Sequence, residues 1–438
     1  RGEVTPMNSV PLSEDSGRNQ RGQAFRSRLI ISHKQLQVMA EEQACYLLLS
    51  ITPGYEQAPV RQPLNLCLVL DRSTSMQGTR LQQVKEATWR LIDSLEPQDV
   101  LSLVTFSDRA EVLLPSQCDV DKAAAKARVS TLQASGGTEI LQGLMAGLRE
   151  IERSRLPDSI KYLILITDGH TYGDEPACLE QARQARACQI TISPMGIGHD
   201  WNEEFLDELA ALSGGTCHYI DAPNKIADVF SAVVRQLRGM VVRELRIAIA
   251  PAADVRVHEL FQVSPYIQRL PMTDQDMLQV SLGPLSADQT KVLLLELRLQ
   301  VTETGHRLLA EITLAGEIPG QPEHQHHERL TVDADFEAVG HSELDVPPAI
   351  VAALGRLAVY KLQEKTLHDL QAGDLGAATQ RLEAIATRLL SLGETELARS
   401  ALLEAGQLAR SGALSAEGRK KLRYGTRGLS TLLQGELR

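Results

Sequence analysis

The segment Leu64–Gly78, LNLCLVLDRSTSMQG, sets the reading of the whole chain. It opens as an apolar run from Leu64 to Leu70, interrupted only by Asn65. A short run of Leu and Val without polar alternation predicts a strand buried on both faces. The run stops at Asp71, and Ser73 and Ser75 follow at alternate positions. Three oxygen-bearing side chains therefore leave the carboxyl end of a buried strand, where open α/β sheets bind their ligands. Beyond Gly78, residues Leu81, Val84, Ala87, Thr88, Leu91, Ile92 and Leu95 recur at helical spacing.

Downstream, strand and helix patterns alternate. VLSLVTFS (100–107), IKYLILITDG (160–169) and QITISPMGIG (189–198) read as further buried strands, and AEVLLP (110–115) as a short antiparallel edge. Helical segments fall between them, and Asn224–Leu237 closes the series. This alternation predicts a parallel sheet covered on both faces. After Gly239 the helical patterns stop for about 95 residues, and strand-like segments separated by Pro, Gly and Asp predict a β-sandwich. Two more strands lie ahead of Leu64, in 25–53, and are expected to complete that sandwich; the alternative is that they extend the α/β sheet. From Val346 onward, Gly-punctuated helical segments predict antiparallel hairpins.

Two later loops share the chemistry of the first. Ser135-Gly136-Gly137-Thr138-Glu139 precedes a helix, and Thr167-Asp168-Gly169 ends the strand IKYLILIT. Hydroxyls and carboxylates without imidazole or thiolate are hard ligands that suit Mg²⁺, Mn²⁺ or Ca²⁺ rather than Zn²⁺ or Cu²⁺. The plain alternative is three ordinary Ser/Thr-rich turns capping helices. Asp71-x-Ser73-x-Ser75 resembles the DxSxS motif of von Willebrand factor A (vWA) domains, and Thr138 and Asp168 stand where that family places the rest of its metal-ion-dependent adhesion site. The resemblance implies hydroxyl ligands from Ser73, Ser75 and Thr138, with Asp71 and Asp168 acting directly or through water. It implies Mg²⁺, with Mn²⁺ or Ca²⁺ as alternatives, and an exposed position that accepts an Asp or Glu of a protein partner.

The expected architecture is a multidomain α/β chain. A Rossmann-like vWA domain (61–239), its mostly parallel sheet flanked by helices, is inserted in an antiparallel β-sandwich (25–60 and 240–340). An all-α helical-hairpin domain (345–438) follows, and a polar, disordered N-terminus (1–24) precedes. The whole resembles bacterial intracellular vWA proteins, which implies a cytoplasmic, non-enzymatic interaction scaffold. A metal-dependent hydrolase and an accessory vWA subunit of an ATPase machine are the rival readings. The chain has no P-loop, so the latter needs a separate motor.

The totals narrow the field. The 438 residues suffice for two or three domains. The formal charge of −11 argues against broad nucleic-acid binding. No apolar stretch approaches 18 residues, so no membrane span is expected. The N-terminus lacks the apolar core of a signal peptide. Six scattered cysteines without ligand spacing read as reduced thiols. His170 and His199 are expected at the rim of the site, His324, His326 and His327 in a solvated loop. Arg419, Lys420, Lys421, Arg423 and Arg427 are expected on a solvated helix face, or against an acidic partner.

Overall fold

The computed structural model describes residues 24–54, 62–154, 156, 158–171, 173–272, 277–319, 325–338 and 346–429. Residues 1–23 and most of the linker 54–63 lie outside the described residues, as does His324.

Three strands come first: β1 (Phe25–Ile31), β2 (Gln35–Gln37) and β3 (Gln43–Pro53). The α/β unit follows, as β4 (Leu64–Asp71), α1 (Thr79–Ser94), β5 (Val100–Phe106), β6 (Ala110–Cys118), α2 (Lys122–Ser130) and α3 (Ile140–Arg153). It continues as β7 (Ile160–Thr167), α4 (Glu175–Ala187), β8 (Ile190–Ile197), α5 (Glu203–Ser213), β9 (His218–Ile220) and α6 (Ile226–Arg238). Seven strands return to the sandwich: β10 (Met240–Pro251), β11 (Val255–Ser264), β12 (Gln268–Arg269), β13 (Leu278–Ser286), β14 (Lys291–Leu299), β15 (Gly305–Glu317) and β16 (Gln325–Glu337). Four helices end the described chain: α7 (Pro348–Gln371), α8 (Leu375–Ser391), α9 (Thr395–Ser411) and α10 (Ala416–Gly428).

The α/β sheet has the order β6-β5-β4-β7-β8-β9. All its pairings are parallel except β5 with β6, which forms the antiparallel edge. Every residue of β4 is buried, as its unbroken apolar run requires. Asn65, the polar interruption, donates from Nδ2 to the Ile151 carbonyl at 2.8 Å, so its burial is compensated. The chain leaves β4 for β5 on one side and later places β7 on the other. That reversal makes the carboxyl end of β4 a topological switch point, with a crevice where the two connections part.

The sandwich is built from both sides of the insertion. One sheet runs β1-β3-β14-β11-β12 and the other β13-β10-β15-β16-β2. Strand β3 carries an almost continuous apolar run because both its faces are covered. Cys45, Leu47, Leu49 and Ile51 enter the sandwich core, while Leu48 packs with Ile350, Ala353 and Leu357 of the helical domain. The connection SHKQLQVMAEEQ holds a strand that its sequence does not signal: β2 pairs in parallel with β16. His326 and His327 lie on β16, not in a solvated loop, and His326 meets the Phe25 ring edge-on at 4.6 Å. The sandwich strand's ladder and that ring contact fix them.

Candidate metal centre

Asp71 is the last residue of β4 and is fully buried. Its Oδ1 accepts from the Ser73 amide at 2.7 Å, which turns the chain sharply, and its Oδ2 accepts from Thr167 Oγ1 at 2.7 Å. Asp168, also fully buried, follows β7, the neighbouring strand. Its Oδ1 accepts from Ser75 Oγ at 2.6 Å, and Ser75 Oγ lies 3.0 Å from Ser73 Oγ. The carboxylates are sealed beneath the surface, Ser73 and Thr138 are buried, and Ser75 is exposed. The cluster is therefore approached from solvent over Ser75.

The third loop is locked to the first. Ser135 N donates to the Arg72 carbonyl at 2.7 Å, and Thr74 donates to the Gly136 carbonyl from N at 3.1 Å and from Oγ1 at 3.0 Å. Asp108, just beyond β5, accepts from Gly137 N at 2.9 Å. These bonds bring Thr138 to the carboxyl end of β7. A Cβ on Gly169 would lie 3.3 Å from Thr138 Oγ1 and 3.9 Å from Ser75 Oγ. The missing side chain leaves a small cradle beside the two hydroxyls.

All five sequence-predicted residues, Asp71, Ser73, Ser75, Thr138 and Asp168, are thus brought to one locus. The donors are hydroxyl and carboxylate oxygens, which fit a hard dication. Burial pushes the Asp71 carboxyl up to about 6, against the pull of hydrogen bonds from Ser73 and Thr167, and the Asp168 charge adds to the rise. Helix α3 begins beside these loops, and its first amides are capped from the segment that follows β7: Ile140 N donates to Thr171 Oγ1 at 3.2 Å and Leu141 N to Asp174 Oδ2 at 2.9 Å.

Three further residues at the centre are given no role by the sequence: Thr167, which reads there only as part of the loop Thr167-Asp168-Gly169, and Asp108 and Arg80, which no motif singles out. Arg80 Nη1 reaches Asp168 Oδ2 at 2.5 Å and the Ser75 carbonyl at 3.3 Å. The available signal for Arg80 was its sign: a cation in the first turn of a helix opposes the helix dipole and calls for a nearby anion.

The two rim histidines differ. His170 is exposed, whereas His199 Nδ1 lies 3.1 Å from Tyr219 OH and its Nε2 lies 3.7 Å from Glu417 of α10. The basic cluster of α10 is not a solvated face. Lys420, 1% exposed, donates to Glu203 at 2.8 Å and to the Trp201 carbonyl at 2.8 Å, and Arg423 and Arg427 reach Asp207 at 2.7 and 2.9 Å. Long-range pairing with the acids of α5 overrides the amphipathic pattern. A cavity of about 640 Å³ belongs to this joint, walled by Tyr219, Tyr266, Tyr360 and Tyr424, and none of the five centre residues lines it.

A parallel sheet with hydroxyl- and carboxylate-bearing loops at its switch point defines the vWA class, whose domains mediate protein interactions. The von Willebrand factor type A domain family matches residues 65–232, and the family described as Sll0103-like, C-terminal alpha-helical domain matches residues 348–432. The uncharacterized protein sll0103 of Synechocystis is 30% identical over 366 residues, covering 82% of this chain and 86% of that one. The chain belongs to this family of vWA proteins with an Sll0103-like helical domain. The von Willebrand factor type A protein from Catenulispora acidiphila shares the fold, with a TM-score of 0.75 and 20% identity over 94% of this chain and 98% of that one. Human inter-alpha-trypsin inhibitor heavy chain H4 is 32% identical over 199 residues, 42% of this chain but only 21% of its own length. Among the described residues no helix is long and apolar enough to cross a membrane.

Proposed function

We propose that the chain is a metal-dependent protein-binding scaffold. Ser73, Ser75 and Thr138 supply hydroxyl ligands to a divalent cation, Mg²⁺ first and Mn²⁺ or Ca²⁺ as alternatives. Asp71 and Asp168 act on it directly or through water. One position, open over Ser75, accepts the carboxylate of a partner's Asp or Glu. The observation that carries this reading is the pair of fully buried carboxylates bridged by serine hydroxyls beneath an exposed Ser75.

The chemistry is binding and breaks no bond. Neutral hydroxyls leave the ion electrophilic, and Mg²⁺ retains waters that a carboxylate can displace. A hydrolase would need a base beside a metal-bound water. His199 is instead directed to Tyr219 and Glu417. The six cysteines are free thiols, which supports a reducing, cytoplasmic setting.

Calorimetric titration of Mg²⁺ and Mn²⁺ tests the reading, after chelator treatment and with excess glutamate. Wild type is expected to bind and a Ser73→Ala/Ser75→Ala variant to show no heat. Equal binding by both proteins would place the ion elsewhere.

A further inference from the structure

The centre carries its own cation. Arg80 projects from the first turn of α1, and its Nη1 joins Asp168 Oδ2 to the Ser75 carbonyl. The seat is built to hold it. A Cβ on Gly198, at the end of β8, would come within 3.3 Å of Arg80 Nη2, so the backbone there leaves room for the guanidinium. The Arg80 side chain is 32% exposed while Asp168 is fully buried. Nη1 is committed to the site, and among the described residues no hydrogen bond engages Nε or Nη2.

Resting on the proposed metal site, we propose that Arg80 couples metal binding to binding of the partner's acid and so selects for an acidic partner. The charges dictate the sign. Asp71 and Asp168 contribute two negative charges and Arg80 one positive. A dication therefore leaves the centre with a net positive charge, and a partner carboxylate neutralises it. Arg80 thus weakens capture of the metal alone and strengthens capture of metal and acid together. Without Arg80 the dication would already balance both aspartates, and the acid would gain little.

Linkage makes this measurable, because acid and metal must raise each other's affinity by the same factor. Mn²⁺ is titrated calorimetrically into wild type, Arg80→Gln and Arg80→Lys, each with and without saturating acetate, and with Ser73→Ala/Ser75→Ala as the site control. In wild type, acetate is expected to tighten Mn²⁺ binding about tenfold, inside the usual range of coupling between sites. Arg80→Gln is expected to bind Mn²⁺ alone about fivefold more tightly, since a nearby like charge is removed, and to lose most of the acetate effect. Arg80→Lys keeps the charge and is expected to bind Mn²⁺ alone more weakly than Arg80→Gln does and to keep a larger acetate effect than Arg80→Gln, which separates charge from misfolding. Arg80→Gln binding Mn²⁺ no more tightly than wild type, or keeping the full acetate effect, overturns the role of Arg80 while leaving the metal site standing. Mn²⁺ binding that is absent from wild type, or survives in the serine variant, overturns the metal site itself and this inference with it.

Discussion

Two pairs of acids lie on the α/β domain, and the molecule treats them in opposite ways. Glu203 and Asp207 of α5 meet four bases from one helix: Arg419 and Lys420 reach Glu203, and Arg423 and Arg427 reach Asp207. Tyr424 adds a hydrogen bond to Asp207 at 3.1 Å, and Lys420 also sits 4.7 Å from the Trp201 ring centre. Asp71 and Asp168 are buried at least as deeply, yet one guanidinium and a set of hydroxyls face them. The first pair is neutralised by the chain and closes a joint between domains. The second keeps a negative surplus at a position open to solvent. In the proposed function, a divalent ion makes up that shortage of positive charge.

The comparison predicts opposite responses to substitution. Lys420→Met removes the buried partner of Glu203, and the cost is expected to be about 3 kcal/mol, because it leaves the buried carboxylate with only the half-exposed Arg419. It should appear as a lower thermal midpoint with metal affinity unchanged. Ser73→Ala/Ser75→Ala should do the reverse, abolishing metal binding and shifting stability by about 1 kcal/mol or less. Thr167→Val removes a donor that orients Asp71, and calorimetry is expected to show metal affinity about 10–100-fold weaker, the usual penalty for an outer-sphere partner. Gly169→Val fills the cradle beside Thr138 and Ser75 and should weaken the metal about tenfold.

The smallest effect concerns acid. Burial alone would raise the Glu203 carboxyl, but Lys420 and Arg419 outweigh it and hold the group below its ordinary 4.5. A depressed carboxyl stabilises the folded state fully above its unfolded value and loses that contribution as pH falls through the lower folded value. The α10 contact should therefore persist down to about pH 4.5 and loosen below it. The fluorescence of buried Trp201 in a Trp89→Phe background reads this directly. Release well above that pH would show that the joint does not depend on Glu203.

The centre was legible because its residues are punctuation. Asp71, Ser73, Ser75, Thr138 and Asp168 each interrupt or follow a strong pattern, and strand ends of a parallel sheet converge on one crevice. The split sandwich was legible too, since the strands before Leu64 precede the α/β unit and need a sheet elsewhere. What sequence hid was pairing over distance. Lys420 and Glu203 are 217 residues apart, and each alone reads as an ordinary helix-surface charge. Strand β2 was hidden because three residues pairing with distant β16 leave no local alternation to detect. Arg80 and Thr167 matter only through a carboxylate that another element supplies.

The central claim is that the cation deficit around Asp71 and Asp168 is filled by a divalent ion. Crystals grown with Mn²⁺ and glutamate, measured at a wavelength where manganese scatters anomalously, test it most directly. The account predicts one anomalous peak within bonding distance of Ser73 and Ser75 Oγ, with a glutamate carboxylate on its open side. Manganese peaks elsewhere, with Ser75 Oγ still bonded to Asp168 Oδ1, would contradict it.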